Sequence, residues 1–253
     1  MARLKRLVVP GVAHYLSQQV VSGGSAFADA ADRRAFMAAL RTCSAAQRVA
    51  VVAYALLDQQ VQLVVLPEQA DALGPLMQAL ARQYVGPFNR KHGRSGALWQ
   101  GRFTAAPVEA VTHLMDCVVY LEQAPVRAGL HVAATDHPWS SARHHAGLRN
   151  ATGTRTSSGS GDHSGSEPVA GDGWLAPMPT GSAYWALGNT PFEREAAYRR
   201  RLECPLTAAE IQKIEATVGK GWALGSAAFM ADIGARSGRR PAPARRGRPA
   251  LVR

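Results

Sequence analysis

Two glutamines, Gln60 and Gln62, lie at the start of the second strand of a predicted hairpin, where their side chains could act together. The apolar runs 51–57 and 61–66 flank the polar residues 58–60, which is typical of an antiparallel hairpin. Because side chains alternate between the two faces of a strand, residues two apart point to the same face. Two histidines in this arrangement would form half of a metal-binding nuclease site. Two neutral amides are weak ligands for a divalent ion.

A basic and aromatic stretch, residues 89–103, is a second candidate, here for binding nucleic acid. It interleaves positive and aromatic side chains, which is the composition of a groove for single-stranded or hairpin DNA. A solvated charged face with Trp99 and Phe103 in the core is the alternative. The candidate DNA-binding residues of this stretch are Asn89, Arg90, Lys91, His92, Arg94, Trp99 and Arg102.

The charge of the chain indicates the same kind of partner. Its 253 residues include 29 Lys+Arg and 18 Asp+Glu, which gives a net charge of +11. Such an excess attracts polyanions, and nucleic acid is the usual one.

The end of the chain, residues 236–253, contains seven arginines and no acid, so it is predicted to be a disordered basic arm. Within it, Arg246-Gly247-Arg248-Pro249 resembles the AT-hook core, which lies in narrow A·T minor grooves. Arg246 and Arg248 are therefore predicted to contact DNA. A simple electrostatic tail is the alternative.

Several classes of protein are not indicated. The three cysteines are widely separated and form no C-x-x-C pair, which argues against a disulfide framework or a zinc site. The sequence has no run of about 18 apolar residues for a membrane span, and the apolar part of its N-terminus is too short for a signal peptide. A soluble, cytoplasmic protein without membrane partners is expected.

The elements that must position these residues alternate between strands and helices. Hydrophobic periodicity, capping residues and helix-breaking Gly and Pro residues predict first a strand at 13–21, a helix from Asp29 or Asp32 to about 48, and then the hairpin. They next predict a helix from 71 to about 84 that weakens at Gly86-Pro87, a strand within 97–110, and a helix that stops before Pro125. This order is the split βαββαβ plan. The predicted fold class is α+β and ferredoxin-like, an antiparallel sheet with helices on one face.

Composition divides the rest of the chain. Residues 1–149 are predicted to form the main domain, and the Gly/Ser/Thr-rich segment 150–173 a flexible linker. Residues 174–235 are predicted to be a small helical region, in which Thr207 to Glu210 forms a capping box. The Arg-rich arm completes the chain.

Seven stretches, in this order and spacing, resemble the REP-associated tyrosine transposases, relatives of the single-tyrosine HUH transposases of bacteria. The resemblance runs nearly end to end. The stretches are 31–36 (ADRRAF), 53–57 (AYALL), 88–103 (FNRKHGRSGALWQGRF), 119–130 (VYLEQAPVRAGL), 137–145 (HPWSSARHH), 222–226 (WALGS) and 245–250 (RRGRPA).

The resemblance implies an HUH domain that nicks and rejoins single-stranded DNA through a 5′-phosphotyrosine, with Mg²⁺ or Mn²⁺ as cofactor. Tyr120 takes the position of the nucleophile. The two histidine ligands of the family fall on Gln60 and Gln62, and its third ligand, one helical turn after the tyrosine, falls on Ala124. All three metal positions are therefore degenerate, and metal binding is expected to be weak or absent. Gln123 could reach this site from the same helix.

Three functions remain open at this point. The first is an enzyme of reduced activity that nicks single-stranded or hairpin DNA. The second is a catalytically silent DNA-binding regulator, which the degenerate metal positions favour. The third is an RNA-binding protein, which the charge alone would also suit. Related transposases often act as dimers, so a homodimer is a further possibility.

Overall fold

The computed structural model describes residues 6–148 and 173–243. The predicted linker, apart from Gly173, and the part of the arm that holds Arg246 and Arg248 lie outside the described residues. The strands are β1 (Ala13–Gln19), β2 (Val49–Leu57), β3 (Gln60–Pro67) and β4 (Thr104–Val108). The α-helices are α1 (Ala30–Ala46), α2 (Leu73–Lys91), α3 (Leu114–Glu122), α4 (Ala124–Arg127), α5 (Ala142–His145), α6 (Pro191–Glu203), α7 (Ala208–Val218) and α8 (Ala227–Ser237). Short 3-10 helices lie at Ala134–Asp136 and Ala183–Leu187.

The four strands form one antiparallel sheet in the order β2-β3-β1-β4. This is the strand order of the split βαββαβ plan, so the predicted α+β fold is confirmed. The hairpin is tighter than its polar triplet suggests, because Leu57 pairs directly with Gln60 and only two residues form the loop. Gln60 is therefore the first residue of β3.

Helices cover both faces of the sheet, whereas the sequence predicted helices on one face. On the first face, α1 and α2 bury Leu16 and Leu63. On the second face, α3, α6 and α7 bury Tyr15 and Val64. This second layer is missing from the prediction because α6 and α7 come from the distant C-terminal part of the chain, where a helical pattern does not reveal its partner.

α2 continues through Pro87 to Lys91, although the sequence predicted that its regular part weakens or ends near Tyr84. Pro87 has no N–H to donate to the carbonyl of the preceding turn. The rings of Tyr84 and Phe88 stack with their centroids 5.5 Å apart, and both lie in the first-face core. The burial of these two rings outweighs the loss of one hydrogen bond.

α6 and α7 share a core with the sheet. Tyr198 and Ile214 belong to the same buried cluster as Tyr15. A capping box opens α7, with Thr207 accepting from the backbone N–H of Glu210, as predicted. Residues on both sides of the predicted domain boundary therefore bury one another.

The first residues of the predicted arm are bonded to the rest of the protein. Arg236 lies in the last turn of α8 and donates to the carbonyl of Pro10 at 2.6 Å. The carbonyl of Pro241 accepts from the N–H of Ala223 at 3.0 Å. Within the described ranges, none of the helices combines the length and apolarity that a membrane span needs.

Later parts of the chain cover both edges of the sheet. Along β2, the N–H of Leu56 donates to Trp139 at 2.9 Å, and the N–H of Ala176 donates to Val51 at 2.8 Å. Along β4, the N–H of Leu224 donates to Pro107 at 2.9 Å. These contacts use backbone groups that an edge strand would otherwise leave open.

Candidate functional site

A chain of four neutral side chains crosses the second face of the sheet. Register places Ser17 opposite Gln62, and alternation brings Gln60 and Tyr15 to the same face. Gln60 Nε2 donates to Ser17 Oγ at 2.7 Å, and Gln62 Nε2 donates to Gln60 Oε1 at 2.8 Å. The hydroxyl of Tyr15 donates to Gln62 Oε1 at 2.6 Å. The two glutamines thus face one way, as the sequence predicted, and bond to each other.

These residues do not fit a divalent metal ion. The amide oxygens of Gln60 and Gln62 are the atoms that could act as ligands, and each already accepts a hydrogen bond. Neither oxygen carries a charge, and Gln62 is buried. A metal ion at this place would therefore exchange the water molecules of its hydration shell for weak ligands. Ala124 is also buried and has no donor atom. The arrangement is a closed hydrogen-bond network rather than an open coordination site.

Tyr120, at the nucleophile position of the resemblance, lies beside this chain on α3. Its ring centroid is 6.1 Å from that of Tyr15, and the guanidinium of Arg127 lies 3.9 Å from the Tyr120 ring centroid. The Tyr120 hydroxyl donates to Glu215 Oε1 of α7 at 2.9 Å. Burial raises the pKa of Tyr120 to about 12; Arg127 opposes this rise and the Glu215 carboxylate adds to it. The raised pKa keeps Tyr120 a neutral phenol near neutral pH, and a neutral phenol is a weak nucleophile.

Replacing Glu215 by alanine is expected to lower the pKa of Tyr120, because the phenolate then loses a repelling carboxylate and keeps Arg127. The raised pKa favours the neutral phenol in the folded state, so its stabilisation is present below about pH 10 and is lost as the pH rises to about 12. Phenolate absorbance, corrected with Tyr120→Phe, measures the pKa. A Glu68→Ala control removes an exposed acid directly after β3 and should leave the curve in place. An unshifted titration in Glu215→Ala would contradict the assignment.

Gln123, which the sequence offered as a further group for this site, is held elsewhere. Its Nε2 donates to the carbonyls of Leu202 and Cys204 at 2.9 and 3.0 Å. Its neighbour Glu122 is fully buried beneath α6, where it accepts hydrogen bonds from three side chains. Both residues therefore anchor the C-terminal helices to α3.

Among the described residues, one group of side chains has the spacing of a metal site, and it lies on the other side of the sheet. Ligand atoms of Asp29, Asp32 and His92 lie within 4.8 Å of one another. The ammonium of Lys91 donates to Asp29 at 2.7 Å and to Asp32 at 2.8 Å. These hydrogen bonds lower the pKa of Asp29 and raise that of Lys91. The lysine thus supplies the positive charge that a metal ion would bring, and it ties the start of α1 to the end of α2.

The predicted DNA-binding stretch divides between two surfaces. Around the end of α2, Asn89 donates to the carbonyl of Gly96 at 3.0 Å and Arg94 to that of Ser25 at 3.2 Å, while Arg90 is exposed. These residues lie with Lys91 and His92 around the end of α2. Trp99 and Arg102 instead line cavities beside the start of β4. Arg6, Lys220 and Arg239 line the same cavities, and the sequence did not single them out because they come from distant parts of the chain.

No protein-family model and no curated protein matches the sequence. The comparison with known proteins therefore depends on the fold. It is similar to a solved structure of a REP-associated tyrosine transposase bound to a REP hairpin, with a TM-score of 0.50 and 19% sequence identity. The match covers 66% of this chain and 100% of that one. A candidate transposase from Deinococcus radiodurans is more distant, with a TM-score of 0.33 and 17% identity over 51% of this chain and 98% of that one. At the level of the fold, the resemblance predicted from the sequence is confirmed.

Proposed function

We propose that this protein binds single-stranded or hairpin DNA and does not cleave it. Its fold is that of a transposase whose solved structure contains a DNA hairpin, and its net charge of +11 suits a polyanion. The observation that carries the proposal is the closed chain Ser17–Gln60–Gln62–Tyr15, in which Gln60 and Gln62 hold two of the three metal positions implied by the resemblance. The raised pKa of Tyr120 supports it, because burial, together with the contact to Glu215, keeps the phenol protonated.

We call Gln60, Gln62 and Tyr120, which lie at the family's metal and nucleophile positions, the former reaction centre. In this proposal these residues stabilise the fold. The hydrogen-bond chain joins β1 to β3 across the second face, and Tyr120 joins α3 to α7 through Glu215. Binding then depends on cations and aromatic rings outside this centre. A cytoplasmic location and a homodimer remain predictions within the same proposal.

Binding and covalent chemistry can be measured on one substrate. A hairpin oligonucleotide with a single-stranded 5′ extension is incubated with the full chain and Mg²⁺ or Mn²⁺, and complexes are followed by fluorescence anisotropy. We expect salt-dependent binding and no covalent adduct on a denaturing gel, with Tyr120→Phe behaving as the wild type. An adduct that forms with the wild type and disappears in Tyr120→Phe would overturn the proposal, and so would a failure to bind DNA.

A further inference from the structure

Two cavities join into one groove around the start of β4, which we call the β4 groove. The first has a volume of about 490 Å³ and lies between α2 and the loop before β4. The second, of about 590 Å³, continues to the loop after α7. Both are lined by Arg6, Gly101, Arg102 and Phe103, so they meet at these residues. Gly101 has φ +66° at this junction, where glycine is favoured and no side chain narrows the passage.

The β4 groove is positively charged along its length. Its cations are Arg6, Arg102, Lys220 and Arg239, and the described residues that line the two cavities include no carboxylate. The ion pairs of the described ranges do not involve Arg6, Arg102 or Lys220. Elsewhere on the surface, cations such as Lys91, Arg33 and Arg201 bind carboxylates of the protein itself. Arg6, Arg102 and Lys220 thus give the groove positive charge that no ion pair of the described residues neutralises.

Arg6 shows the electrostatic cost of this arrangement. Its guanidinium lies 3.5 Å from the centroid of the Phe103 ring, and its Nε donates to the Phe103 carbonyl at 3.2 Å. Burial, with a smaller contribution from the charge of Arg102, lowers the pKa of Arg6 to about 10. A bound anion would relieve this repulsion, because it would interact favourably with both guanidinium groups.

The floor of the groove is apolar and aromatic. Met77 and Leu80 of α2 line the first cavity together with Trp99 and Phe103. Unstacked bases pack on such surfaces, whereas the bases of a duplex are already stacked and hidden behind its phosphates. The exposed amide group of Gln78 lies in the same wall and can bond to base edges. Proteins that bind single strands combine an apolar and aromatic surface for the bases with cations for the phosphates, and the groove has both.

The groove leads toward the former reaction centre. Lys220 lies at its second cavity, five residues after Glu215, which contacts Tyr120. α7 ends at Val218, so Lys220 lies in the turn that directly follows the helix of Glu215. On the sheet, Thr104 lines the second cavity and pairs with Ser17, the first member of the hydrogen-bond chain. The second cavity therefore lies beside the two elements, α7 and β1, that carry Glu215 and Ser17.

We infer that the β4 groove is the binding site for a single-stranded segment of DNA, with its phosphates at Arg6, Arg102, Lys220 and Arg239 and its bases against Trp99 and the apolar floor. This inference rests on the proposed function and adds the path of the strand to it. It assigns the single-stranded extension of a hairpin substrate to the groove, and it leaves the paired stem to other surfaces.

The test compares three probes with the full-length protein: a hairpin with a single-stranded extension, the same hairpin without it, and the extension as RNA. The variant Arg102→Ala with Lys220→Ala removes two exposed cations of the groove. We expect it to bind the extended hairpin roughly 10-fold more weakly, with a salt slope smaller by about 1.4, since each phosphate contact to a single strand contributes about 0.7. The control variant Arg34→Ala with Arg41→Ala removes two exposed cations of α1 and should bind as the wild type does.

The outcomes separate the inference from the proposed function. If the wild type does not bind the DNA probes, the proposed function fails and the inference fails with it. If the wild type binds them and the groove variant binds equally well, the inference alone is overturned. Equal losses on the hairpin with and without its extension would also overturn it, because the groove would then hold the stem. If the RNA form of the extension binds more tightly than the DNA probes, the ligand of the groove is RNA and not DNA. Circular dichroism of each variant verifies that it is folded.

Discussion

Replacing Glu122 by alanine is expected to lower the free energy of unfolding by roughly 3–5 kcal/mol. Glu122 is fully buried on α3. Its carboxylate accepts from Ser141 Oγ at 2.6 Å, from His145 Nδ1 at 2.6 Å and from the hydroxyl of Tyr198 at 2.7 Å. Alanine would leave the His145 and Tyr198 donors without an acceptor in the interior, where each unsatisfied group costs about 1–3 kcal/mol, and Ser141 Oγ would keep only the Tyr54 carbonyl at 3.4 Å. The loss affects α5 and α6 together, because both are anchored to α3 through this side chain.

Urea unfolding followed by circular dichroism measures this effect. Tyr198→Phe removes a single donor and retains the ring, so we expect a smaller loss of about 1.5–3 kcal/mol. Glu203→Ala, at an exposed position near the end of α6, should change stability by less than about 0.5 kcal/mol. A loss below about 1 kcal/mol for Glu122→Ala would mean that the three hydrogen bonds do not hold the C-terminal helices in place.

The second large effect is a gain of activity in a rebuilt centre. A variant that combines Gln60→His, Gln62→His and Ala124→Asn with Glu215→Ala is expected to bind Mn²⁺ and to form a covalent adduct with the extended hairpin. Two imidazoles and an amide oxygen would replace a closed hydrogen-bond chain with groups that suit a transition metal. Removal of the carboxylate would free the Tyr120 hydroxyl and lower its pKa. Calorimetry with Mn²⁺ and a denaturing gel measure the two steps separately.

Matched variants show which change matters. Adding Tyr120→Phe to the rebuilt centre should preserve Mn²⁺ binding and abolish the adduct. Glu215→Ala alone should produce neither. An adduct with Glu215→Ala alone would show that the contact with α7, and not the glutamine pair, prevents the reaction. No Mn²⁺ binding by the rebuilt centre would contradict the view that Gln60 and Gln62 exclude the metal.

Local patterns were sufficient to predict the sheet and the direction of the glutamines. Alternation along β2 and β3 predicted the hairpin, and a spacing of two placed Gln60 and Gln62 on one face. The length of α2 could not be predicted in the same way, because the signal of Pro87 is local while the stacking of Tyr84 and Phe88 depends on the folded core.

The partners of the site residues required the tertiary structure. Glu215 is 95 residues from Tyr120, and Arg6 is 97 residues from Phe103. One signal for the second helical layer was present in the sequence. α3 is apolar on nearly all sides, with Cys117, Val118, Val119 and Leu121 all buried. A helix of this composition must be covered on more than the face that meets the sheet, so another element had to pack on it.

The covered sheet edges have a consequence for the order in which the protein is made. A ribosome releases β1 to β4 well before the segments that cover their open sides, since chains emerge from the N-terminus onward. Residues 139–141 are synthesised soon after α3 and cover part of β2. β4 stays uncovered until Leu224 has been synthesised. A nascent or prematurely terminated chain that ends before residue 222 would expose β4 as a template for strand pairing with other chains. Completion of the last quarter of the chain is therefore the step that protects this sheet from aggregation.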